Sequence, residues 1–392
     1  MSHDTHRNQP MTGAGSRPTS IRGVRPGQNP TLRDVAEAAG VHAATASRAL
    51  NPKTRRLVNA ETARRVLRAA EALGYRPNPI ARSLKTAKSH TIGLVIPDLT
   101  NPLFPPIVRG IEDVLGPAGY TALIGNTDND PQREEALVAS LRSRHVDGLI
   151  IATARLEHPL LRHLHEQRVP MVLINRRTAE VDIGCVIPDD AAGISQAVKH
   201  LADLGHRRIA HLAGPQTTST GVTRANAFRT AVREHGLDDD PSLIVTCDYW
   251  SEQEGARALR HLLDSGVEMT AVVAGNDLVA LGCYDVFAER GISCPDDVSV
   301  VGFNDMPFLD KLRPPLTTVA IPQYQIGVEA ARMLLELFAE PDRPPRSVLL
   351  PLTLVVRGST APPPRRPVVT AGRNRRRRPS SPRQTAGSRV QR

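Results

Sequence analysis

No apolar run in the 392 residues approaches the roughly 20 residues that span a bilayer, so the chain reads as one without a membrane segment. Met1 to Asn29 are polar and rich in Gly, Pro and Ser. They lack the apolar stretch of a secretory leader, and the expected location is the cytoplasm. Cysteine is scarce. Cys185, Cys247, Cys283 and Cys294 form no close pair, which is the usage of reduced, buried thiols rather than of a disulfide framework. His163 and His165 are two apart and would point to different faces of a helix, and His158, His200, His206, His211 and His261 have no metal-ligand spacing. No Gly-rich nucleotide loop follows the first strand-like run, and no nucleophile–base pair stands out. The expectation is a protein that is not an enzyme and uses neither a cofactor nor a metal.

What the chain does have is unevenly placed charge. The formal total is +10, but residues 30–88 carry twelve Lys or Arg against four acids, and residues 361–392 carry ten Arg and no acid. The body between, 89–360, comes to −11. A basic front and a basic tail flanking an acidic middle point to an anionic partner for the ends and not for the body.

Thr31 to Asn51 reads as two short helices joined by a tight turn. Thr31 with Asp34 three residues later resembles a capping box, and Val35, Ala36 and Ala39 then share a face. Gly40 can take the positive φ that ends a helix, with Val41 plugging the corner. The second helix, about Ala43 to Leu50, is expected to turn Ala46 and Leu50 inward and Ala43, Ala44, Thr45, Ser47 and Arg48 outward. Small residues at Ala36 and Ala46 let two helices cross closely, as a helix-turn-helix requires. Asn59 can cap a third helix with Val66, Leu67, Ala70 and Leu73 at helical spacing, closed by Gly74. Asn78 and Pro79 suit the start of a helix of about two turns, too short to be stable alone.

From Thr91 onward, short runs rich in Val, Ile and Leu alternate with helical stretches. The strand-like runs are Thr91–Ile96, Thr121–Asn126, Gly148–Ala152, Met171–Asn175, Arg208–Ala213, Leu243–Cys247, Ala271–Ala274 and Val298–Phe303. The helical ones include Pro105–Leu115, Arg133–Arg144, Ala191–Leu204, Arg224–Glu234, Glu252–Ser265, Leu278–Arg290 and Ile326–Phe338, with a last extended run at Ser347–Val356. This spells an α/β body with parallel sheets, long enough for two subdomains. Residues 361–392 hold no core-forming residues and read, like 1–29, as disordered.

Seven stretches in consistent order give the chain a family resemblance. They are Thr31-Leu-Arg-Asp-Val-Ala-Glu-Ala-Ala-Gly-Val, Leu73-Gly-Tyr-Arg-Pro-Asn-Pro-Ile-Ala-Arg-Ser-Leu84, Thr91-Ile-Gly-Leu-Val-Ile-Pro with Asn101-Pro-Leu-Phe104, Leu204-Gly-His-Arg-Arg-Ile-Ala210, Gly275-Asn-Asp-Leu-Val-Ala-Leu-Gly282, Val298-Ser-Val-Val-Gly-Phe303 and Pro314-Pro-Leu-Thr-Thr-Val319. Over roughly residues 30–360 the chain resembles the lactose-repressor family of bacterial transcription regulators. The resemblance implies an all-α helix-turn-helix head (30–77), a hinge helix (78–89) and a periplasmic-binding-protein-like body (90–360). Two subdomains would form that body, with the chain crossing near 188, 320 and 348. It also implies homodimers, in some members tetramers, on double-stranded, pseudo-palindromic operator DNA, with a small-molecule effector in the cleft.

The resemblance assigns residues. Ala43, Ala44 and Arg48 match base-reading positions of the second helix. Arg48 suits guanine, whereas the two alanines offer only methyl contacts. Thr45, Ser47 and Asn51 suit phosphates, and Leu32 is a further DNA-binding position. His42 stands where relatives have a serine cap; histidine is expected to cap poorly and to reach a phosphate instead. Leu84, with Ala81, matches the hinge segment that wedges into the minor groove, and Arg82 and Lys85 would add phosphate contacts. In the cleft the matches are Asn101, Phe104, Asn175, Arg176, Arg224, Trp250, Asn276, Asp277 and Asn304. Phe104 and Trp250 could instead be core residues, Asp277 a helix cap, and Arg224 half of a salt bridge. Asn175 and Asn304 stand where relatives commonly have Asp, which makes the pocket less acidic. The expected effector is an uncharged sugar or sugar derivative, with a phosphorylated or acidic ligand second. The rival reading is a solute-binding protein serving a transporter, against which the head and the missing leader argue.

Overall fold

The computed structural model describes residues 30–52, 54–76 and 88–364. The chain divides into two compact units, one ending at Ser89 and one beginning at His90. The hinge segment, with Asn78, Pro79, Ala81, Arg82, Leu84 and Lys85, lies outside the described residues, as do the first 29 residues and the Arg-rich tail beyond 364.

The first unit contains α1 (Leu32–Ala38), α2 (Ala43–Leu50) and α3 (Ala60–Ala72). The capping box is reciprocal. The Thr31 backbone N–H donates to Asp34 Oδ2 at 2.7 Å, and the Asp34 N–H donates to Thr31 Oγ1 at 3.4 Å. The bond from the Thr31 N–H, with one from Thr31 Oγ1 to Asp34 Oδ2 at 2.8 Å, holds the Asp34 carboxyl below its ordinary range. Gly40 takes φ +62°, and the Val41 N–H closes the corner on the Ala36 carbonyl at 2.9 Å. Two arginines satisfy carbonyls that the helix ends leave open. Arg65 Nε donates to the Ala39 oxygen at 2.8 Å and Arg55 Nε to the Ala49 oxygen at 2.9 Å. The core is small-residue packing: Val35, Ala36, Ala39, Ala46, Ala49, Ala63, Val66 and Ala70 are buried. Ala49, not Leu50, is the fully buried residue at the end of α2; Leu50 is half-buried on the core's edge. Leu67, expected inward, is half-buried and outside this cluster.

The second unit holds two six-stranded sheets. The first, in the order β11-β5-β4-β3-β1-β2, contains β1 (Thr91–Ile96), β2 (Thr121–Asn126), β3 (Gly148–Ile151), β4 (Met171–Ile174), β5 (Cys185–Pro188) and β11 (Ser347–Leu350). The second, in the order β12-β10-β9-β8-β6-β7, contains β6 (Ile209–Ala213), β7 (Ile244–Thr246), β8 (Ala271–Ala274), β9 (Ser299–Asn304), β10 (Thr317–Ala320) and β12 (Thr353–Val355). Pairing is parallel throughout, except that β12 runs antiparallel to β10. The chain passes between the sheets after Pro188, after Ala320 and after Leu350. The single extended run expected at 347–356 is therefore two strands in two sheets. They are separated around Pro351, which has no N–H to continue a ladder.

Helices α4 (Phe104–Leu115), α5 (Pro131–Ser143), α6 (Pro159–Glu166), α7 (Asp190–Asp203), α8 (Ser219–Glu234), α9 (Glu252–Asp264), α10 (Asp277–Arg290) and α11 (Gln323–Ala339) cover the sheets. The sequence reading placed neither β5, β10 nor α6. Those elements have 4, 4 and 8 residues, too few for periodicity to register. α8 begins at Ser219, so Arg224 lies inside the helix rather than opening it. Helices α4 and α11 cross at glycines. A Cβ on Gly327 would stand 2.0 Å from the Ile107 oxygen, and one on Gly110 would stand 2.2 Å from the Tyr324 oxygen. All four cysteines are free. Among the described residues no helix is long and apolar enough to cross a membrane, and no group of side chains could hold a metal ion.

Candidate nucleic-acid interface and ligand cleft

On the first unit, α2 carries the predicted reading face. Arg48 and Ala44 are exposed, while Ala43, Thr45, Ser47 and Asn51 are half-buried. No bond to the Arg48 guanidinium is found among the described residues, so the cation is available to a partner. Its own backbone is held, because Thr54 Oγ1 donates to the Arg48 carbonyl at 3.0 Å. Two expectations change. His42 does cap α2: its Nδ1 accepts from the Ala44 N–H at 3.3 Å, while the ring stays exposed. Leu32 is half-buried and packs on the head core, as does Ala43, so neither side chain is simply displayed.

In the second unit a cleft opens where the carboxyl ends of both sheets meet, the place where open α/β sheets bind ligands. Asn101, Phe104, Asn175 and Arg176 line it from the first sheet's side, and Arg224, Trp250, Asn276 and Asn304 line it from the second's. Two residues that sequence reasoning missed, Leu103 and Thr220, complete the lining. They sit at the N-terminal ends of α4 and α8, and nothing in their local pattern distinguishes them from other helix starts. The halves also touch directly. The Leu156 N–H donates to the Thr217 oxygen at 2.9 Å, and the Arg177 N–H donates to Ser219 Oγ at 3.0 Å.

Arg224 is the most heavily engaged group in the cleft. Its Nε and Nη2 reach Asp190 Oδ1 at 2.9 and 2.7 Å, and its Nη1 donates to the Gly275 oxygen at 2.7 Å. Its guanidinium carbon lies 3.8 Å from the Phe303 ring centroid and 5.5 Å from that of Trp250. Both sides of the ion pair are buried, at 3% and 7% side-chain exposure. Burial raises the Asp190 carboxyl above its ordinary range, against the opposing pull of Arg224. The salt-bridge reading and the cleft reading of Arg224 thus hold together. Trp250 packs closely against glycine backbone: a Cβ on Gly214 would fall 1.9 Å from its ring, and one on Gly275 would fall 2.9 Å away. Phe104 belongs to the core at 2% exposure and still contributes to the lining.

Arg176 differs from Arg224. It is 6% exposed, and its Nε has no hydrogen-bond partner. Burial first, and then the like charge of Arg224, lower its guanidinium to about 10, with Glu134 opposing. The side-chain oxygens of Asn175 and Asn304 are likewise buried without partners. Both residues stand at positive φ, +61° and +122°, at the ends of β4 and β9. Non-glycine residues rarely hold such angles outside turns and functional sites. Asn101 and Asn276 are partly committed, Asn101 Oδ1 accepting from the Leu103 N–H at 3.0 Å and Asn276 Oδ1 from the Val279 N–H at 2.9 Å.

Asp277 is a correction. It is fully buried and faces away from the cleft, accepting from Thr318 Oγ1 at 2.6 Å and from the Met306 N–H at 2.9 Å. Burial pushes its carboxyl up to about 6. It ties the start of α10 to β10 and to the loop after β9, while the helix cap is Asn276. Asp305, beside Asn304, turns to Arg357 at 2.6 Å.

Comparison with known proteins decides the family. Residues 31–78 match the model of bacterial regulatory proteins of the lacI family, and residues 198–360 match that of the periplasmic-binding-protein-like domain. The transcriptional repressor CytR of Escherichia coli K12 is 35% identical over 84% of this chain and 96% of its own length. The chain belongs to the LacI family of bacterial regulators. The ribose operon repressor of Halalkalibacterium halodurans is 34% identical over 84% of this LacI-family chain and 97% of its own. Among solved structures, the Lac repressor dimer bound to operator and an anti-inducer superposes with a TM-score of 0.75 at 27% identity, covering 85% of this chain and 100% of that one. The CelR regulator in complex with cellobiose superposes at 0.65 with 32% identity, covering 84% and 99%. As a LacI-family member the chain is a DNA-binding transcription regulator: α1 and α2 form its helix-turn-helix, and the two-sheet unit is its periplasmic-binding-protein-like body.

Proposed function

We propose that this regulator is a cytoplasmic repressor that binds a pseudo-palindromic operator as a homodimer. A sugar or sugar derivative, bound between the two sheets, would set its affinity for DNA. The observation that carries the reading is one chain with two complementary gaps. An unpaired arginine projects from the second helix of a helix-turn-helix, and orphaned polar atoms line the body's cleft. Arg48 would pair with guanine in the major groove. Thr45, Ser47 and Asn51 would hold phosphates, and the exposed edge of the His42 ring would join them while Nδ1 keeps its cap. The exposed methyl group of Ala44 would touch thymine, while Ala43 packs on the head core. Ala81 and Leu84 would form the hinge segment at the minor groove. One head offers too few contacts for operator-level affinity, which is why two copies are required.

Asn175 from one sheet and Asn304 from the other each present an acceptor. A ligand with hydroxyl groups can donate to both and bring the halves to one spacing, which is how binding would bias a two-state body. The cavity measures about 20 Å³ in this structure, room for little more than a water, so a sugar would enter as the two halves move apart. No reaction is assigned to it. The DNA upstream of the regulator's own gene, in a gel-shift titration with and without pooled sugars, tests the proposal. Two protected half-sites about one helical turn apart, with affinity altered by a pool, support it. Sequence-independent binding that no pool alters refutes it.

A further inference from the structure

We infer that the effector carries an anionic group, a carboxylate or a phosphate, beside its hydroxyls, and that Arg176 holds it. The inference rests on the reading of the cleft as the effector site and names the chemistry of the ligand. The two cleft arginines are not equivalent. Arg224 is matched by Asp190 at 2.7 Å. Arg176, 94% buried by its 6% exposure, has an unpartnered Nε, and no carboxylate lies within ion-pair distance of it among the described residues.

The carboxylate whose field reaches Arg176 is Glu134, and it is already committed. Thr153 donates to it, His158 Nε2 stands 3.1 Å from it and Arg155 Nη1 stands 3.6 Å away. No acidic residue lines the cavity. A second source of positive potential points the same way. Thr220 in the first turn of the 16-residue helix α8, and Asn276 capping the 14-residue helix α10, both border the cavity, so the positive ends of two helices adjoin it.

A buried cation without a counter-charge is costly, and a second cation nearby adds to the cost. Burial and Arg224 already weaken the hold of Arg176 on its proton. An anion in the cleft relieves both effects, whereas a neutral hydroxyl accepts the Nε bond and leaves the charge unmatched. Anion oxygens cannot donate to Asn175 and Asn304, so the ligand needs hydroxyls too. A sugar acid or a sugar phosphate has both.

The full-length protein is melted with three pools: neutral pentoses and hexoses, the corresponding aldonic and uronic acids, and the corresponding sugar phosphates. The expected result is stabilisation by the acid pool or the phosphate pool, whichever of them names the source, and none by the neutral pool. The active component should bind Arg176→Gln roughly 10- to 100-fold more weakly, and Arg176→Lys should keep the preference for the charged pool. The comparison of pools on the unmodified protein decides even if Arg176→Gln does not fold. Stabilisation by the neutral pool alone, or an anionic-pool shift unchanged in Arg176→Gln, overturns the charge assignment and leaves the hydroxylated-effector reading standing. No shift with any pool removes that reading, and this one with it.

Discussion

Replacing Asp190 by asparagine isolates the charge at the centre of the cleft. The substitution keeps a side-chain oxygen for Arg224 and the same size, but leaves the guanidinium buried without its counter-ion. At about 4 Å between charges and an effective dielectric near 20, the direct attraction is about 4 kcal/mol. Removing one member of a buried pair typically costs about 3–5 kcal/mol. The surviving bond from Nη1 to the Gly275 oxygen and the stack on Phe303, at 2.7 and 3.8 Å, together with the retained asparagine oxygen, place the expectation at the lower end, about 3 kcal/mol. For a body of this size each kcal/mol moves the midpoint by roughly 2–4 °C. Calorimetry should therefore show the body's transition about 6–12 °C lower. Adding Arg224→Met removes the stranded charge and leaves a thioether on Phe303. The double variant should recover at least ~2 kcal/mol relative to the sum of the single losses. A midpoint shift under about 2 °C for Asp190→Asn, or strictly additive losses, would refute the reasoning that the pair is desolvated and coupled.

Other outcomes follow from the same geometry. Arg48→Ala should weaken operator binding by about 1–3 kcal/mol in a gel-shift titration while the effector-induced thermal shift stays unchanged. His211 is fully buried, with Nδ1 donating to the Val273 oxygen at 2.8 Å and its ring stacked on Phe228, and burial depresses its pKa from 6.5 to about 4. A depressed folded-state value means that the unfolded chain takes up the proton first. The contribution is thus complete above pH 6.5 and disappears as the pH falls through 4, a loss of about 3 kcal/mol. His211→Asn should melt with a flatter dependence on pH across that window, measured as the difference in midpoint from the unmodified protein. Gly327→Ala drives a methyl into the Ile107 carbonyl and should cost about 1–3 kcal/mol or more in denaturant unfolding. The proposed hinge role of Leu84, drawn from the family pattern and not from this structure, predicts that Leu84→Ala reduces operator bending, read by circular-permutation gel shift, more than it reduces binding to random duplex.

The cleft residues illustrate how far local reading reaches. Eight of the nine residues matched to it line one cavity, because strand ends in a parallel body converge on one edge and the family pattern marks those ends. Asp277 was misplaced by a single position. Residues 276 and 277 both open α10, and only burial against Thr318, 41 residues away, decides that one turns inward and the other outward. His42 shows the reverse. Its rank as a capping residue predicted a poor cap, but at φ −68° and ψ 148° the ring nitrogen meets the Ala44 N–H.

Sequence alone determined what depends on neighbours along the chain. The Thr31–Asp34 box, the Gly40 corner, the Asn59 cap and the alternation of apolar runs with amphipathic helices all follow from short-range interactions. Tertiary structure decided what depends on distant partners. It divided 347–356 between two sheets, set Asp190 against Arg224 across 34 residues, and left Arg176 without a counter-charge. Local propensities scale with short-range bonds and can be read directly, whereas pairing and burial depend on the whole path of the chain. Two arginines of identical chemistry therefore came to hold opposite positions, one neutralised and one exposed to whatever enters the cleft.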